Sequence, residues 1–195
     1  MGDIKTWLQN VGVAPAFIED FATQLKQNPD IMREKTEHAM SRLGICCFST
    51  LEDNILQWSH YADYHRGICL KFDITEAADF FRTPIIVAYR KVMQHYNHFT
   101  MSKSIVEYLI KPKYADWSYE SEVRVVKHSD TEEAGNRAYS FPDSALKEII
   151  FGAKTPDAVI VKYKQLCSTS NKAHVLFSKM SLGSGTHYEL IKSPI

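Results

Sequence analysis

Apolar residues recur with two different periods along this chain, and that mixture restricts the folds open to it. Over the first forty residues, including APAFIEDFATQLKQ and PDIMREKTEHAMSRLG, they recur every three to four positions, as in an amphipathic helix. Pro15 and Pro29 suit early helical positions, and Gly44 suits a helix end. The sequence therefore predicts two helices at the front of the chain.

Later segments show the two-residue period of a half-buried strand. In RGICLKFDI, for example, Ile68, Leu70 and Phe72 occupy alternate positions. Further strands are predicted in PIIVAYR, SEVRVVKH, KEIIFGA, AHVLFSKM, the edge segment HYELIK and the buried segment ICCFST, and further helices in LEDNILQWSHYADYH, FTMSKSIVEYLI and residues 155–167. The predicted fold is α+β, with N-terminal helices followed by a mixed, largely antiparallel sheet and packed helices.

A chain of 195 residues with 45% hydrophobic content can bury one sizeable core. We predict a single domain over residues 1–195, with a helical part at 1–44 and an α+β core at 45–195. The predicted core consists of Phe48, Ile55, Trp58, Ile68, Leu70, Phe72, Val87, Val123, Val125, Ile149 and Ile150. The four cysteines have no CxxC spacing and are expected to be reduced and mostly buried.

Charge gives the chain no overall preference for an anionic partner. Lysine plus arginine and aspartate plus glutamate both number 23, so no net field draws it to nucleic acid or a membrane surface. The first residues, MGDIKTWLQNVG, lack the apolar centre of a signal peptide, and no apolar window reaches spanning length. We expect a cytoplasmic protein without a membrane partner, and its oligomeric state stays open.

Aromatic residues and histidines are concentrated in ILQWSHYADYHRG. At helical spacing, Trp58, Tyr61 and His65 would share one face, with His60 beside it. Such residues pack cores more often than they catalyse, so His60 alone has a structural explanation. The five-residue separation of His60 and His65 does not aim two imidazoles at one metal ion, and QHYNHF offers no carboxylate or cysteine to complete a set. No metal site is predicted.

A second group of functional candidates lies in WSYESEVRVV. If the segment is a strand, alternation places Glu120, Glu122 and Arg124 on one face. Such charges are commonly solvated surface groups of small energetic value. Two adjacent carboxylates also repel each other and raise a pKa, which active sites exploit. Both interpretations stay open at this point.

Several of these strings together resemble a bacterial and phage family, the domain of unknown function numbered 2971. The resemblance runs from about Cys47 to Gly152 through CFST, ILQWSHYADYHRGICLKFD, IKPKYADW, WSYESEVRVV and LKEIIFGA. The chain keeps the family's Trp58, Ser59, His60, Tyr61, His65, Gly67, Trp117, Tyr119, Glu120, Glu122 and Arg124. It lacks a recognisable initial strand and Asn-Asp-Pro turn. The resemblance implies a fold, no established activity, and a setting in bacterial conflict or phage defence.

A weaker similarity links FST and ESE to ADP-ribosyltransferases of the arginine, serine, glutamate type. Cleavage of the nicotinamide bond of NAD develops oxocarbenium character, which a nearby carboxylate stabilises. The similarity implies Glu122 in that role, with Glu120 orienting the acceptor and His60 as a further catalytic candidate. It implies NAD contacts from Ser49, Thr50, Trp58, Tyr61 and Arg124. NAD would be a substrate, and no built-in cofactor is expected.

Two other function classes remain open. RKVMQHYNHF and IKPKY interleave basic and aromatic residues, as nucleic-acid-binding or nucleic-acid-processing modules do for phosphate contact and stacking. Alternatively, the chain is a non-catalytic binding or inhibitory protein, a degenerate or shortened relative in which missing N-terminal elements have removed catalysis. NAD consumption would separate the transferase from both, and the acceptor, protein or nucleic acid, is not determined by the sequence.

Overall fold

The computed structural model describes residues 2–93, 99, 106–128 and 138–195, with side chains from residue 4 onwards. Its α-helices are α1 (Gly2–Asn10), α2 (Ile18–Gln27), α3 (Asp30–Ser41), α4 (Ile55–Tyr61) and α5 (Asp157–Ser168). Its strands are β1 (Leu43–Ser49), β2 (Ile68–Phe72), β3 (Ile85–Ile86), β4 (Ala88–Arg90), β5 (Pro112–Tyr114), β6 (Glu122–His128), β7 (Leu146–Phe151), β8 (Leu176–Leu182) and β9 (Leu190–Pro194). The α+β class is confirmed.

The chain divides into two compact units. The first unit consists of Met1–Cys46, Ile86–Asp116 and Val126–Arg137, and the second of Cys47–Ile85, Trp117–Val125 and Ala138–Ile195. The division does not follow the predicted boundary at residues 44 and 45. The single-domain assignment stays a prediction.

In the first unit, α1 and α2 pack around a small apolar cluster of Leu8, Ile18 and Ala22. Glu19 and Asp20 lie in the first turn of α2 and Lys26 in its last, where each charge complements the helix dipole. The described part of this region contains three α-helices where the sequence predicted two, because the short α1 precedes them. Strands β4 and β5 pair in parallel.

The second unit is built on a four-stranded sheet in the order β2-β7-β8-β9. Strand β7 pairs antiparallel with β2 and parallel with β8, and β8 pairs antiparallel with β9. The sheet is therefore mixed, and HYELIK supplies an edge strand as predicted. The parallel connection from β7 to β8 runs through α5, the usual solution for such a crossover.

Helices cover both faces of this sheet. On one face, Ile160 and Cys167 of α5 pack with Leu146, Ile149 and Phe151. On the other face, Trp58 of α4 lies in a cluster with Ile150, Met180 and Leu190. Burial on both faces suits the three consecutive apolar residues at the end of β7, Ile149, Ile150 and Phe151. It also fixes α4 against the sheet.

The core prediction is largely confirmed. Trp58, Val87, Val125, Ile149 and Ile150 are buried, and the other predicted members except one are partly buried. The exception is Leu70, which remains 43% exposed because β2 is the outer strand of its sheet.

Three local expectations were wrong. Strand β1 forms, but Cys46 and Cys47 in it are exposed, so ICCFST is not a buried strand. The four cysteines form no disulfide bond, and only Cys167 is buried, so the expectation of mostly buried thiols was wrong. PIIVAYR splits into the two short strands β3 and β4. FTMSKSIVEYLI lies partly outside the described residues, and its last five form a π-helical turn, Val106–Ile110.

Candidate functional site

The two motif stretches meet inside the second unit. The Tyr61 hydroxyl donates a hydrogen bond of 2.7 Å to Glu120 Oε1. Beside it, His60 Nδ1 lies 3.1 Å from the Tyr119 hydroxyl. The Trp58 helix and the Glu120 segment therefore approach each other. Chemical roles for these residues remain proposals.

Gln57, which sequence reasoning missed, joins the two stretches most closely. Its Nε2 lies 2.9 Å from the Glu120 carbonyl, 3.1 Å from the Tyr119 carbonyl and 3.1 Å from Ser49 Oγ. Asn54 caps α4 by accepting from the Gln57 backbone N–H, and its own amide donates to the Tyr119 carbonyl. The Asn-x-x-Gln spacing ahead of an apolar run resembles a capping box, so a signal for this helix start was present in the sequence.

Ser49 is saturated with hydrogen bonds inside the protein. Its hydroxyl donates to the Glu120 carbonyl at 2.7 Å and accepts from Gln57 Nε2 and the Leu51 N–H. One donor and two acceptor positions are the full capacity of a serine hydroxyl. Ser49 therefore holds the Glu120 turn, whereas Thr50 makes one long hydrogen bond of 3.4 Å to the Ser121 carbonyl; both residues are exposed.

Four rings form what we call the aromatic surface: His60, Tyr61, Trp117 and Tyr119. The His60 ring centroid lies 6.2 Å from those of Tyr61 and Tyr119 and 6.3 Å from that of Trp117. Tyr61 is 67% exposed and Trp117 is 39% exposed. By contrast, Trp58 is buried and donates its indole N–H to the Glu52 carbonyl, so its part is packing. The aromatic surface can stack on a flat ring.

Glu120 and Glu122 are both buried, which contradicts the solvated-face interpretation. The strand alternation that placed them on one face is also wrong. Residues Ala115–Glu120 form a 3-10 helix, and β6 begins only at Glu122. Between them, Ser121 has a φ of 43°, in the left-handed region that non-glycine residues rarely adopt.

Glu122 is held by the guanidinium of Arg124. Arg124 Nε donates to Glu122 Oε1 at 2.7 Å and Nη2 donates to Oε2 at 3.2 Å, a bidentate arrangement. The hydrogen bond to Glu122 raises the pKa of Arg124 above its ordinary value, although burial acts in the opposite direction. The pair is neutral as a whole, which weakens the field of Glu122 at a distance.

His65 does not lie on the Trp58 helix, because α4 ends at Tyr61. Asp63, Tyr64 and His65 follow with φ angles of 45°, 53° and 70°, three consecutive left-handed residues. The buried His65 donates from Nε2 to Ser59 Oγ at 3.0 Å, since that hydroxyl donates to a backbone carbonyl. Its Nδ1 has no partner among the described residues. Burial, and then the charge of Lys154, lowers the pKa of His65.

A charge network lies beside α4. Glu52 contacts Lys71 at 2.7 Å and Lys192 at 2.6 Å, and Lys192 reaches the buried Glu148 at 3.1 Å. Ser178 donates a further hydrogen bond of 2.6 Å to Glu148. Burial would raise the pKa of Glu52, but the hydrogen bonds from the two lysines outweigh it and the pKa is lowered. Glu52 is therefore ionised at neutral pH.

One cleft of about 160 Å³ opens against α4. Its walls include the apolar Leu51, Trp58 and Ile68 and the polar Glu52, Gln57 and Tyr61. None of Ser49, His60, Glu120 and Glu122 lines it. Tyr61 is thus shared between the cleft and the aromatic surface.

The described geometry gives little support to a metal site or to a nucleic-acid-binding surface. Within residues 2–93, 99, 106–128 and 138–195, no three His, Cys, Asp or Glu side chains are grouped to hold a metal ion. His95, Tyr96 and His98 lie outside the described residues. Of the basic residues in that alternative, Lys111 is paired with Glu107 at 3.2 Å, while Arg90 is exposed. None of the helices in the described part has the length and apolar character that crossing a membrane requires.

Comparison with known proteins identifies one family. Residues 57–125 match the model of a family described as protein of unknown function (DUF2971). The match confirms the resemblance seen in the sequence, over a shorter range, and it includes most of α4, the aromatic surface and both carboxylates. No curated protein and no solved structure matches the chain.

Proposed function

We propose that the chain binds NAD at the aromatic surface and cleaves its nicotinamide bond, passing ADP-ribose to an acceptor. The contact between the exposed Tyr61 hydroxyl and the buried Glu120 carboxylate carries the proposal. This contact places a surface that can stack on a ring of NAD next to a carboxylate. The proposed reaction uses both kinds of group. A developing oxocarbenium ion is stabilised by negative charge placed in advance.

The proposed roles follow from exposure and hydrogen bonding. Tyr61 stacks on a ring of NAD, and Glu120 orients the acceptor through the Tyr61 hydroxyl. Glu122 supplies the negative charge, with Arg124 keeping it ionised and fixed. The exposed Thr50 contacts a ribose hydroxyl in place of Ser49, whose hydrogen-bonding capacity is used within the protein. His60 assists proton transfer at the same surface.

Tyr61 gives the cleanest test, because its exposed ring can be changed without disturbing the core. Purified protein is incubated with NAD, and released nicotinamide is followed by chromatography while transfer to protein and nucleic acid in cell extract is followed by mass. Tyr61→Phe should keep NAD binding and reduce transfer, and Tyr61→Ala should weaken both. Glu122→Gln should lower the rate about 100 to 1,000 fold.

A matched control is Glu76→Gln, which removes a surface carboxylate paired with Lys147 in the same unit. Its rate should equal that of the parent. Intact NAD after prolonged incubation with folded parent protein would exclude catalysis.

A second candidate function rests on the pairing of Glu122 with Arg124. Because the Arg124 guanidinium neutralises Glu122, this carboxylate would stabilise a developing positive charge less well. The arrangement is therefore consistent with a protein that binds its ligand and does not convert it. In that case, NAD or a nucleotide would bind saturably and remain unchanged. Absence of any saturable signal with NAD and with nucleotides at millimolar concentration would exclude both candidates.

A further inference from the structure

We infer that the cleft against α4 is a binding site for a planar heterocycle that carries an amino or carboxamide N–H₂ group. The walls are those given above, with Leu51, Trp58 and Ile68 as the apolar surfaces. The proposed catalytic carboxylates do not line the cleft. The inference therefore holds whether or not the chain cleaves NAD.

The size of the cleft admits one ring system of a ligand. Its volume is about 160 Å³. Pockets for whole drug-sized ligands are roughly 300 to 1,000 Å³. A complete dinucleotide therefore does not fit, whereas a single base or a nicotinamide ring does.

The orientation of the Gln57 amide is decided by its neighbours. Its Nε2 faces the carbonyl oxygens of Tyr119 and Glu120, which can only accept. The other end of the amide is consequently the oxygen. In the described part of the chain, Gln57 Oε1 has no hydrogen-bond partner, and Gln57 is one of the residues that line the cleft. This leaves an acceptor that the protein positions and does not use.

Of the other polar lining residues, Asn54 uses both ends of its amide within the protein, donating to the Tyr119 carbonyl and accepting from the Gln57 N–H. Glu52 is a carboxylate, and the Tyr61 hydroxyl already gives its proton to Glu120. No lysine or arginine is among the lining residues, all of which lie in the described part of the chain. Glu52 is already paired with Lys71 and Lys192, so an ionic group would gain little there, whereas a ligand N–H donor would meet the Gln57 oxygen. Apolar walls on either side favour a flat ring as the body of the ligand.

Adenine and nicotinamide both carry this chemistry, and matched ligands distinguish them. Purine has the adenine ring without its amino group, and nicotinic acid replaces the carboxamide of nicotinamide with a carboxylate. Calorimetric titration of the full chain should show saturable binding of adenine or nicotinamide, with its matched ligand at least 10-fold weaker. Which of the two binds identifies the source. Equal affinity within both matched pairs, or no saturable binding, would overturn the inference.

Two measurements locate the ligand. Leu51→Trp should fill the cleft and abolish binding, while Leu56→Trp, an exposed position on α4 outside the lining, should leave affinity unchanged. Should Leu51→Trp not fold, nuclear Overhauser effects in the parent should connect ligand ring protons with the Leu51 methyl groups and the Trp58 indole. Binding that persists in folded Leu51→Trp, or contacts confined to other surfaces, would refute this location.

Discussion

Replacing Glu122 with glutamine removes the negative charge from its buried ion pair with Arg124. The two side chains are only 4% and 14% exposed, so water can do little to compensate the guanidinium. Removing one partner of a buried pair costs about 3 to 5 kcal/mol. The amide oxygen keeps one hydrogen bond to a charged donor, worth about 1.5 to 3 kcal/mol. The expected net loss in unfolding free energy is about 2 kcal/mol.

Urea titration followed by tryptophan fluorescence and circular dichroism would measure this loss, with unchanged dependence on urea concentration as the sign of an unaltered denatured state. For a chain of this size, the midpoint of thermal unfolding should fall by about 4 to 8 °C. Glu120→Gln is the matched control, because its amide oxygen still accepts from the Tyr61 hydroxyl and the loss should stay below about 1 kcal/mol. Equal losses in the two variants would refute the stabilising role of the pair.

Three further changes probe the same unit. The double variant Glu122→Leu with Arg124→Met should recover at least half of the stability lost in Glu122→Gln, because apolar replacement of a buried ion pair is often neutral. A larger loss of unfolding free energy in the double variant, measured by urea unfolding, would contradict this expectation. Because the pKa of His65 is lowered in the folded state, the free energy of unfolding should decrease as the pH falls below about 6.5, by at most about 1.4 kcal/mol per pH unit. His65→Asn should flatten this pH dependence in unfolding titrations. Gly152→Ala should destabilise the protein by about 3 kcal/mol, because the added Cβ would lie 2.2 Å from the His65 carbonyl oxygen. In the control Gly44→Ala, the nearest atom to the added Cβ is 3.8 Å away, so the urea midpoint of unfolding should stay close to that of the parent.

The sequence by itself determined the kinds of element and much of the core. Helical and strand periods arise from local backbone geometry, so α5, β6 and β7 could be placed from their own residues. The consecutive apolar residues Ile149, Ile150 and Phe151 also indicated a strand at β7. The family resemblance was recognisable because Trp58, Tyr61 and Glu120 occur in distinctive strings.

Only the tertiary structure decided the chemistry around those strings. Strand alternation assigned Glu120 and Glu122 to one face, but a 3-10 helix and the left-handed Ser121 separate them. Gln57 became the central hydrogen-bonding residue because α4 packs beside a segment about sixty positions later in the chain. Leu70 is exposed because β2 is an outer strand. Periodicity is a property of neighbouring residues, whereas hydrogen-bond partners and sheet edges depend on which distant segments pack together.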